Sequence, residues 1–142
     1  ILEMDVFQNK VVYVDIWATH CRPCLEEFAY VSELKERFKN DAISFLYLCS
    51  PYSMEWDKKN AQLWKDLIVK HELNGINIFM SGECYEDGFF EVYKEKYTPD
   101  RLYGIPTYLL VDKQGTIVDF DAPRPSKKEL LYYKIQQLLD KE

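Results

Sequence analysis

The 142-residue sequence predicts an α/β domain in which helices pack on a mixed sheet. Two features indicate this class. Short apolar runs that are typical of buried strands alternate with stretches whose apolar residues recur every three or four positions, as in amphipathic helices. We therefore expect the element order β-α-β-α-β-(α)-β-β-α within a single domain over residues 1–142.

The first half of the chain begins with a predicted strand over Val11 to Trp17, an apolar run that only Asp15 interrupts. A helix follows, because apolar residues recur at helical spacing over residues 25–38. Charged residues, including Glu27, fall between them on a predicted solvated face. The second strand is predicted over Ile43 to Cys49.

The middle of the chain predicts another helix and strand. Apolar residues at helical spacing between Trp56 and Ile68 predict the helix, and Asn74-Gly75 is expected to end it. The third strand is predicted over Ile76 to Met80. Within Ser81 to Tyr103, aromatic residues at helical spacing favour a further helix.

The last third predicts a β-hairpin and a terminal helix. Its strands are Thr107 to Val111 and Thr116 to Phe120, joined by a turn over residues 113–115. Ser126 followed by Glu129 has the spacing of a capping box, in which the serine hydroxyl would cap the terminal helix.

Composition and charge exclude several classes of function. The formal net charge is -6 and no basic stripe is present, so nucleic acid is not an expected partner. No apolar run approaches the roughly 20 residues of a membrane span, and the first residues lack the pattern of a signal peptide.

Two of the four cysteines form a Cys-x-x-Cys pair, Cys21-Arg22-Pro23-Cys24, between the first strand and the first helix. Unpaired N–H groups at a helix N-terminus favour a thiolate, so we expect the pKa of Cys21 to lie below the usual value of about 8.5. Pro23 suits the first helical turn, where its missing N–H is not needed. Cys24 can close a small disulfide ring with Cys21, and this ring would act as a reversible redox switch.

The cysteines also allow other interpretations, namely a zinc site and a purely structural disulfide. Zinc binding is disfavoured, since the remaining ligand candidates are scattered along the sequence: Cys49, Cys84, His20 and His71. A purely structural disulfide is also disfavoured, because closing so short a loop removes little chain entropy. Cys49 is either buried apolar filler or a partner for Cys84. We expect no metal, and no cofactor beyond the Cys21–Cys24 disulfide itself.

Two further residues need an explanation. Asp15 lies inside a core strand, where an unpaired carboxylate is costly and is usually kept for a task. Pro106, in the stretch Gly104-Ile105-Pro106-Thr107, lies at the start of a predicted strand because proline cannot donate to a central ladder. Either a cis or a trans peptide bond fits this position.

The stretch "VDIWATHCRPC" is similar to the active-site strand and helix start of thioredoxins, and "GIPT" resembles their cis-proline loop. A predicted helix-strand insertion after the second strand, about Asp57 to Met80, and the stretch "YLLVDKQGTIVDFDAPRPS" resemble the TlpA/ResA branch of thioredoxin-like thiol–disulfide oxidoreductases. The resemblance covers the chain from about Val11 to its end.

This resemblance implies a thioredoxin-like mixed sheet and a role for each site residue. Cys21 would attack, Cys24 would resolve the mixed disulfide, and Asp15 would accept the proton of Cys24. The implied substrate groove contains a cis Pro106, which faces the dithiol, and Ile105, whose backbone would pair with an extended substrate. The full set of predicted substrate-binding residues is Trp17, His20, Arg22, Pro23, Ile105, Pro106 and Thr107.

Two residues depart from the family pattern. His20 stands where many relatives carry Trp; it is expected either to change charge in the working pH range or to be a solvated loop residue. Arg22 stands where thioredoxin has Gly, and its cation is expected to favour the thiolate further. Both changes leave the direction of electron transfer open.

The leading hypothesis is therefore a protein disulfide oxidoreductase, acting as a reductase on protein thiols and disulfides and recycled by an upstream redox partner. The main alternative is a non-catalytic peptide-binding module of a larger cell-envelope protein. Peroxide reduction is a third hypothesis, disfavoured because Thr19 lies only two residues before Cys21. The resemblance implies a fragment of an exported protein in the cell envelope or periplasm, although a cytoplasmic location stays open.

Overall fold

The computed structural model describes residues 2–50, 54–80 and 104–142. A five-stranded mixed sheet forms its centre, with the strand order β3-β2-β1-β4-β5. The strands are β1 (Val11–Trp17), β2 (Ile43–Cys49), β3 (Ile76–Phe79), β4 (Thr107–Val111) and β5 (Ile117–Asp119). β1 pairs in parallel with β2 and antiparallel with β4, so the strand that precedes the cysteines is central.

The helices are α1 (Arg22–Glu27), α2 (Val31–Arg37), α3 (Met54–Lys70) and α4 (Lys128–Leu139), and short 3-10 turns span Asp5–Phe7 and Phe28–Tyr30. The predicted strands β1, β2 and β4 are confirmed with their bounds. The single helix predicted over residues 25–38 is instead two helices, because the turn at Phe28–Tyr30 separates them.

The end of α3 differs from prediction. α3 ends at Lys70 rather than at Asn74-Gly75, and Glu72 has a left-handed φ of 52° just beyond it. Gly75 instead permits a close approach of the chain to β2. Its φ is +149°, and a Cβ there would lie 2.7 Å from the carbonyl oxygen of Phe45.

The sheet has two different faces. On one face, the even-numbered residues of β1 belong to an apolar cluster. The buried members of this cluster are Phe7, Val12, Val14, Ile16, Leu46, Leu48, Met80, Leu109 and Val111. Odd-numbered residues of β1 point to the opposite face, because side chains alternate along a strand. Each of the four described α-helices contributes side chains to the clusters there. Tyr13, Trp17 and both cysteines of the Cys-x-x-Cys pair belong to those clusters.

A short connection ties the end of the hairpin to this second face. In the docking segment, Ala122–Ser126, the N–H of Ala122 donates to the carbonyl oxygen of Tyr108 at 3.0 Å. The hydroxyl of Tyr13 donates to the carbonyl oxygen of Pro123 at 2.8 Å. The segment therefore holds the start of α4 against β1 and β4.

Candidate active site

The cysteine pair lies where β1 gives way to α1. Cys21 is the N-cap residue of α1, and its Sγ accepts the backbone N–H of Cys24 at 3.3 Å. Cys21 and Cys24 form a disulfide, with their Cα atoms 5.2 Å apart. Pro23 occupies the first turn of the helix, as predicted.

The two sulfur-bearing residues differ in accessibility. Cys21 is 8% exposed and Cys24 is completely buried. Since an attacking thiolate must reach a substrate and a resolving thiol need not, this asymmetry suits attack by Cys21 and resolution by Cys24.

Arg22 and His20 lie on the exposed side of the cysteine pair. The Arg22 side chain is 89% exposed, and its Nε lies 3.1 Å from Oε1 of Glu26, one turn along α1. The guanidinium therefore has a carboxylate partner that the sequence analysis did not include. This pairing weakens the expectation that the cation acts on the thiolate alone.

The proline loop reaches the same end of the sheet. The Ile105–Pro106 peptide bond is cis. Thr107 begins β4 opposite Ile16, one residue before the end of β1, and its hydroxyl donates to the carbonyl oxygen of Gly104. Ile105 is 37% exposed. The antiparallel pairing thus brings the loop to the edge of the sheet where the cysteine pair begins.

Trp17, one of the predicted substrate-binding residues, lies in the core. It is completely buried, and its ring packs edge-on against Phe28 with the ring centroids 5.1 Å apart. Trp17 packs in the same apolar cluster as Cys21 and Cys24, and substrate contact by this residue stays a prediction.

Asp15 is buried on the face that carries the cysteine pair. Only 2% of it is exposed, and neither carboxylate oxygen has a hydrogen-bond partner among the described residues. Burial, with a further contribution from the negative charge of Glu27, raises the pKa of Asp15 well above its ordinary value. A carboxyl group with a raised pKa holds and releases a proton at a higher pH than an exposed aspartate does.

Two tyrosines flank Asp15 across the sheet. Tyr47 of β2 and Tyr108 of β4 are its register partners, so all three side chains project from the same face. Neither tyrosine hydroxyl has a hydrogen-bond partner among the described residues. Burial and the charge of Asp15 raise the pKa of both tyrosines.

Glu27 is the residue that the sequence analysis missed. The sequence pattern predicts a solvated position for Glu27, yet its side chain is buried and only 7% of the residue is exposed. Its Oε2 accepts the backbone N–H of Ser126 at 2.9 Å, and its Oε1 accepts the Ser126 hydroxyl at 2.8 Å. One signal pointed to this burial, since Glu27 lies one helical turn beyond Cys24 and one before Val31, both of which face the core.

The same contact corrects the predicted capping box. Lys127 is the N-cap residue of α4 and no side chain caps the helix. The hydroxyl of Ser126 is bonded to Glu27 instead of the helix backbone. The predicted capping box is therefore wrong, because the Ser126 hydroxyl donates to Glu27, which lies 99 residues earlier in the chain.

The remaining predictions concern metals, membranes and Cys49. Within the described ranges, no three His, Cys, Asp or Glu residues form a group that could hold a metal ion. Among the described residues, no helix has the length and apolar character needed to cross a membrane. Cys49 is buried at the end of β2 opposite Trp17, whereas Cys84 and the helix predicted around Phe89 to Tyr97 lie outside the described residues.

Solved structures share this fold. The thioredoxin domain of a thiol-disulfide oxidoreductase from Bacteroides vulgatus has a TM-score of 0.71 and 22% identity, over 96% of this chain and 84% of that one. A thiol:disulfide interchange protein from Bacteroides sp. has a TM-score of 0.67 and 20% identity, over 94% of this chain and 76% of that one. The predicted thioredoxin-like fold is confirmed.

Sequence comparison agrees with the fold. The chain is 23% identical to the thiol-disulfide oxidoreductase ResA of Bacillus thuringiensis subsp. konkukian over 136 residues. The match covers 93% of this chain and 66% of the relative, so the chain spans slightly less than two thirds of that protein. The predicted resemblance to TlpA/ResA-type proteins is thereby confirmed. The Redoxin family model matches residues 2–131, and the chain belongs to the Redoxin family.

Proposed function

We propose that this domain is a thiol–disulfide oxidoreductase that reduces protein disulfides with the Cys21/Cys24 dithiol. The observation that carries the proposal is the disulfide between a partly accessible Cys21, at the start of α1, and a completely buried Cys24. A redox pair of this kind at the end of a strand is the arrangement from which a mixed disulfide forms and is resolved.

In the first step, the Cys21 thiolate attacks one sulfur of the substrate disulfide. A bond forms between Cys21 and that sulfur, the substrate S–S bond breaks, and the other substrate sulfur leaves as a thiolate. The N–H of Cys24, which donates to Sγ of Cys21, supports negative charge on the attacking sulfur.

In the second step, the thiol of Cys24 loses its proton to Asp15 and attacks Sγ of Cys21. The mixed disulfide breaks, the second substrate sulfur leaves as a thiolate, and the domain is oxidised by two electrons while the substrate is reduced. Asp15 must be ionised to accept the proton, and its raised pKa makes it a stronger base than an exposed aspartate.

The proposed substrate groove lies between the Cys21 side of α1 and the loop Gly104-Ile105-Pro106. Ile105 is exposed and lies two residues before Thr107, the first residue of β4, so its backbone can pair with an extended substrate segment. His20, Arg22, Pro23 and Thr107 are proposed to border this groove. An upstream redox partner would reduce the disulfide again, and we propose a location in the cell envelope or periplasm.

Insulin reduction by the purified domain with dithiothreitol tests this proposal. We expect Cys21→Ser to abolish the activity and Cys24→Ser to accumulate a mixed disulfide that mass spectrometry detects. Ser32→Ala, on the exposed surface of α2, is the matched control and should keep wild-type activity. Equal activity of Cys21→Ser and wild type would overturn the proposal and favour a peptide-binding module.

The direction of transfer needs a separate measurement. We expect the Cys21–Cys24 couple, equilibrated with glutathione buffers, to be more reducing than glutathione, because a reductase must give its electrons to the substrate. A more oxidising couple would instead indicate a disulfide donor or an isomerase.

A further inference from the structure

The contact between Ser126 and Glu27 joins two parts of the chain that lie far apart in the sequence. Both oxygens of the Glu27 carboxylate are held by a single residue, through its backbone N–H and its hydroxyl. Burying a carboxylate costs stability unless it receives such hydrogen bonds. The buried Glu27 carboxylate is thus fixed in position by its two hydrogen bonds to Ser126.

Ser126 is itself held against the strands that carry Asp15. The docking segment Ala122–Ser126 is anchored by hydrogen bonds to Tyr13, two residues from Asp15, and to Tyr108, the register partner of Asp15. Two prolines in the segment restrict its backbone further. The position of Ser126 relative to Asp15 is therefore determined by the sheet.

Glu27 and Asp15 interact through their charges. Both residues are buried, and the charge of Glu27 disfavours the ionised form of Asp15. Phe28, the neighbour of Glu27, packs edge-on against Tyr47, the other register partner of Asp15. Both carboxyl groups are thus buried in the protein interior, an environment in which an electrostatic interaction is screened less than at the surface.

Other titratable or charged groups also face this environment, from every element packed on it. They are Tyr13 on β1, Tyr47 on β2, Tyr108 on β4, Lys35 on α2 above the Tyr47 ring, Arg124 in the docking segment, and His71 just after α3, whose ring centroid lies 5.2 Å from that of Phe28. Arg124 acts on Tyr108, and Lys35 lies 5.1 Å from the Tyr47 ring centroid. The negative charge of Glu27 disfavours ionisation of Asp15, and the charge of Asp15 in turn disfavours ionisation of the three tyrosines.

We propose that Ser126 is a positioning residue that, by holding the Glu27 carboxylate in place, sets the proton affinity of Asp15. The consequence for catalysis rests on the proposed function, in which Asp15 takes the proton of Cys24. With Glu27 held by Ser126, Asp15 binds a proton more tightly and remains a strong base for the resolution step. Without these two hydrogen bonds, the Glu27 carboxylate turns away from Asp15, and Asp15 becomes a weaker base.

The test is an NMR titration of the Asp15 side-chain carboxyl carbon in the oxidised protein, where neither active-site cysteine titrates. We expect Ser126→Ala to lower the Asp15 midpoint by a few tenths of a pH unit, and Glu27→Gln to lower it further. Ser126→Thr keeps the hydroxyl and should restore the wild-type midpoint. The surface variant Ser32→Ala should leave the midpoint unchanged, and thermal unfolding identifies any variant that is merely destabilised.

An Asp15 midpoint in Ser126→Ala that equals that of wild type, or lies above it, overturns the inference. A separate measurement distinguishes this failure from failure of the proposed function. A mixed disulfide formed on Cys21 is followed as Cys24 resolves it, in wild type, Ser126→Ala and Asp15→Asn. If the midpoint shifts but Asp15→Asn resolves as fast as wild type, the positioning role stands and the proton-acceptor role of Asp15 is wrong.

Discussion

The two faces of the sheet are built from alternate residues of the same strands, yet they differ in chemistry. On one face, β1 contributes Val12, Val14 and Ile16 to an apolar cluster. On the other, it presents Tyr13, Asp15 and Trp17 beneath the helices and the cysteine pair. The first face contributes stability through burial, whereas the second gives up some of that stability by burying the Asp15 carboxyl group, which has no hydrogen-bond partner among the described residues.

The strongest test of this difference is a cavity on the apolar face. Leu48 is completely buried there, so we expect Leu48→Ala to reduce the free energy of unfolding by about 2–5 kcal/mol. Urea unfolding of the oxidised protein measures the loss, and insulin reduction per folded molecule should be unchanged. Val118→Ala, on the 46% exposed side chain of β5, serves as the control. A Leu48→Ala variant that stays as stable as this control would contradict the packing role of the face.

The second test replaces the buried carboxyl group with Asp15→Asn, whose effect on stability should depend on pH. Since the pKa of Asp15 is raised above 3.8, the unfolded chain ionises this group at a lower pH than the folded protein. The stabilising contribution of Asp15 is therefore lost as pH rises from about 3.9 through the folded-state pKa. We expect Asp15→Asn to gain more stability relative to wild type at pH 8 than at pH 5, as measured by urea unfolding. A gain that shrinks with rising pH would refute the raised pKa.

The third test compares two tyrosine hydroxyls on the same face. The Tyr13 hydroxyl donates to Pro123, whereas the Tyr47 hydroxyl has no partner among the described residues. We expect Tyr13→Phe to lose about 0.5–1.5 kcal/mol of unfolding free energy and Tyr47→Phe to be neutral or to gain up to about 1 kcal/mol. Chemical denaturation of the two variants side by side decides this, and equal losses would show that the Tyr47 hydroxyl is in fact satisfied.

The smallest effect is expected outside both faces, at the exposed ion pair of α1. The side chains of Arg22 and Glu26 are 89% and 65% exposed, so water and salt screen their attraction. Arg22→Ala should leave the urea midpoint within experimental error of wild type, at low and at high salt. A salt-dependent loss of stability would place Arg22 in a stronger electrostatic network than the structure contains.

The sequence predicted the buried strands well because continuous apolar runs leave little choice of structure. β1, β2 and β4 have the predicted bounds, and Cys21, Cys24 and Asp15 lie where the pattern placed them. The 3-10 turn at Phe28–Tyr30 could not be foreseen, since three residues are too few to separate a period of 3.0 from one of 3.6.

The contact between Glu27 and Ser126 could not be predicted for a different reason. Local patterns describe neighbours in the sequence, and each residue fitted a plausible local role: Glu27 on a solvated face and Ser126 in a capping box. Their true partners are each other, and only the folded sheet brings them together. Buried polar pairs that are distant in the sequence are the part of a site that periodicity cannot reveal.

The sequence separation between Glu27 and Ser126 also matters for a chain that is only partly synthesised. The two cysteines are three residues apart and can be oxidised as soon as their own segment is available, whereas Glu27 must wait for a residue 99 positions later. A nascent or C-terminally truncated chain that ends before Ser126 therefore has the redox pair without its second buried carboxylate in place. Formation of the disulfide is thus a local event, whereas the environment of Glu27 is complete only once Ser126 has been added.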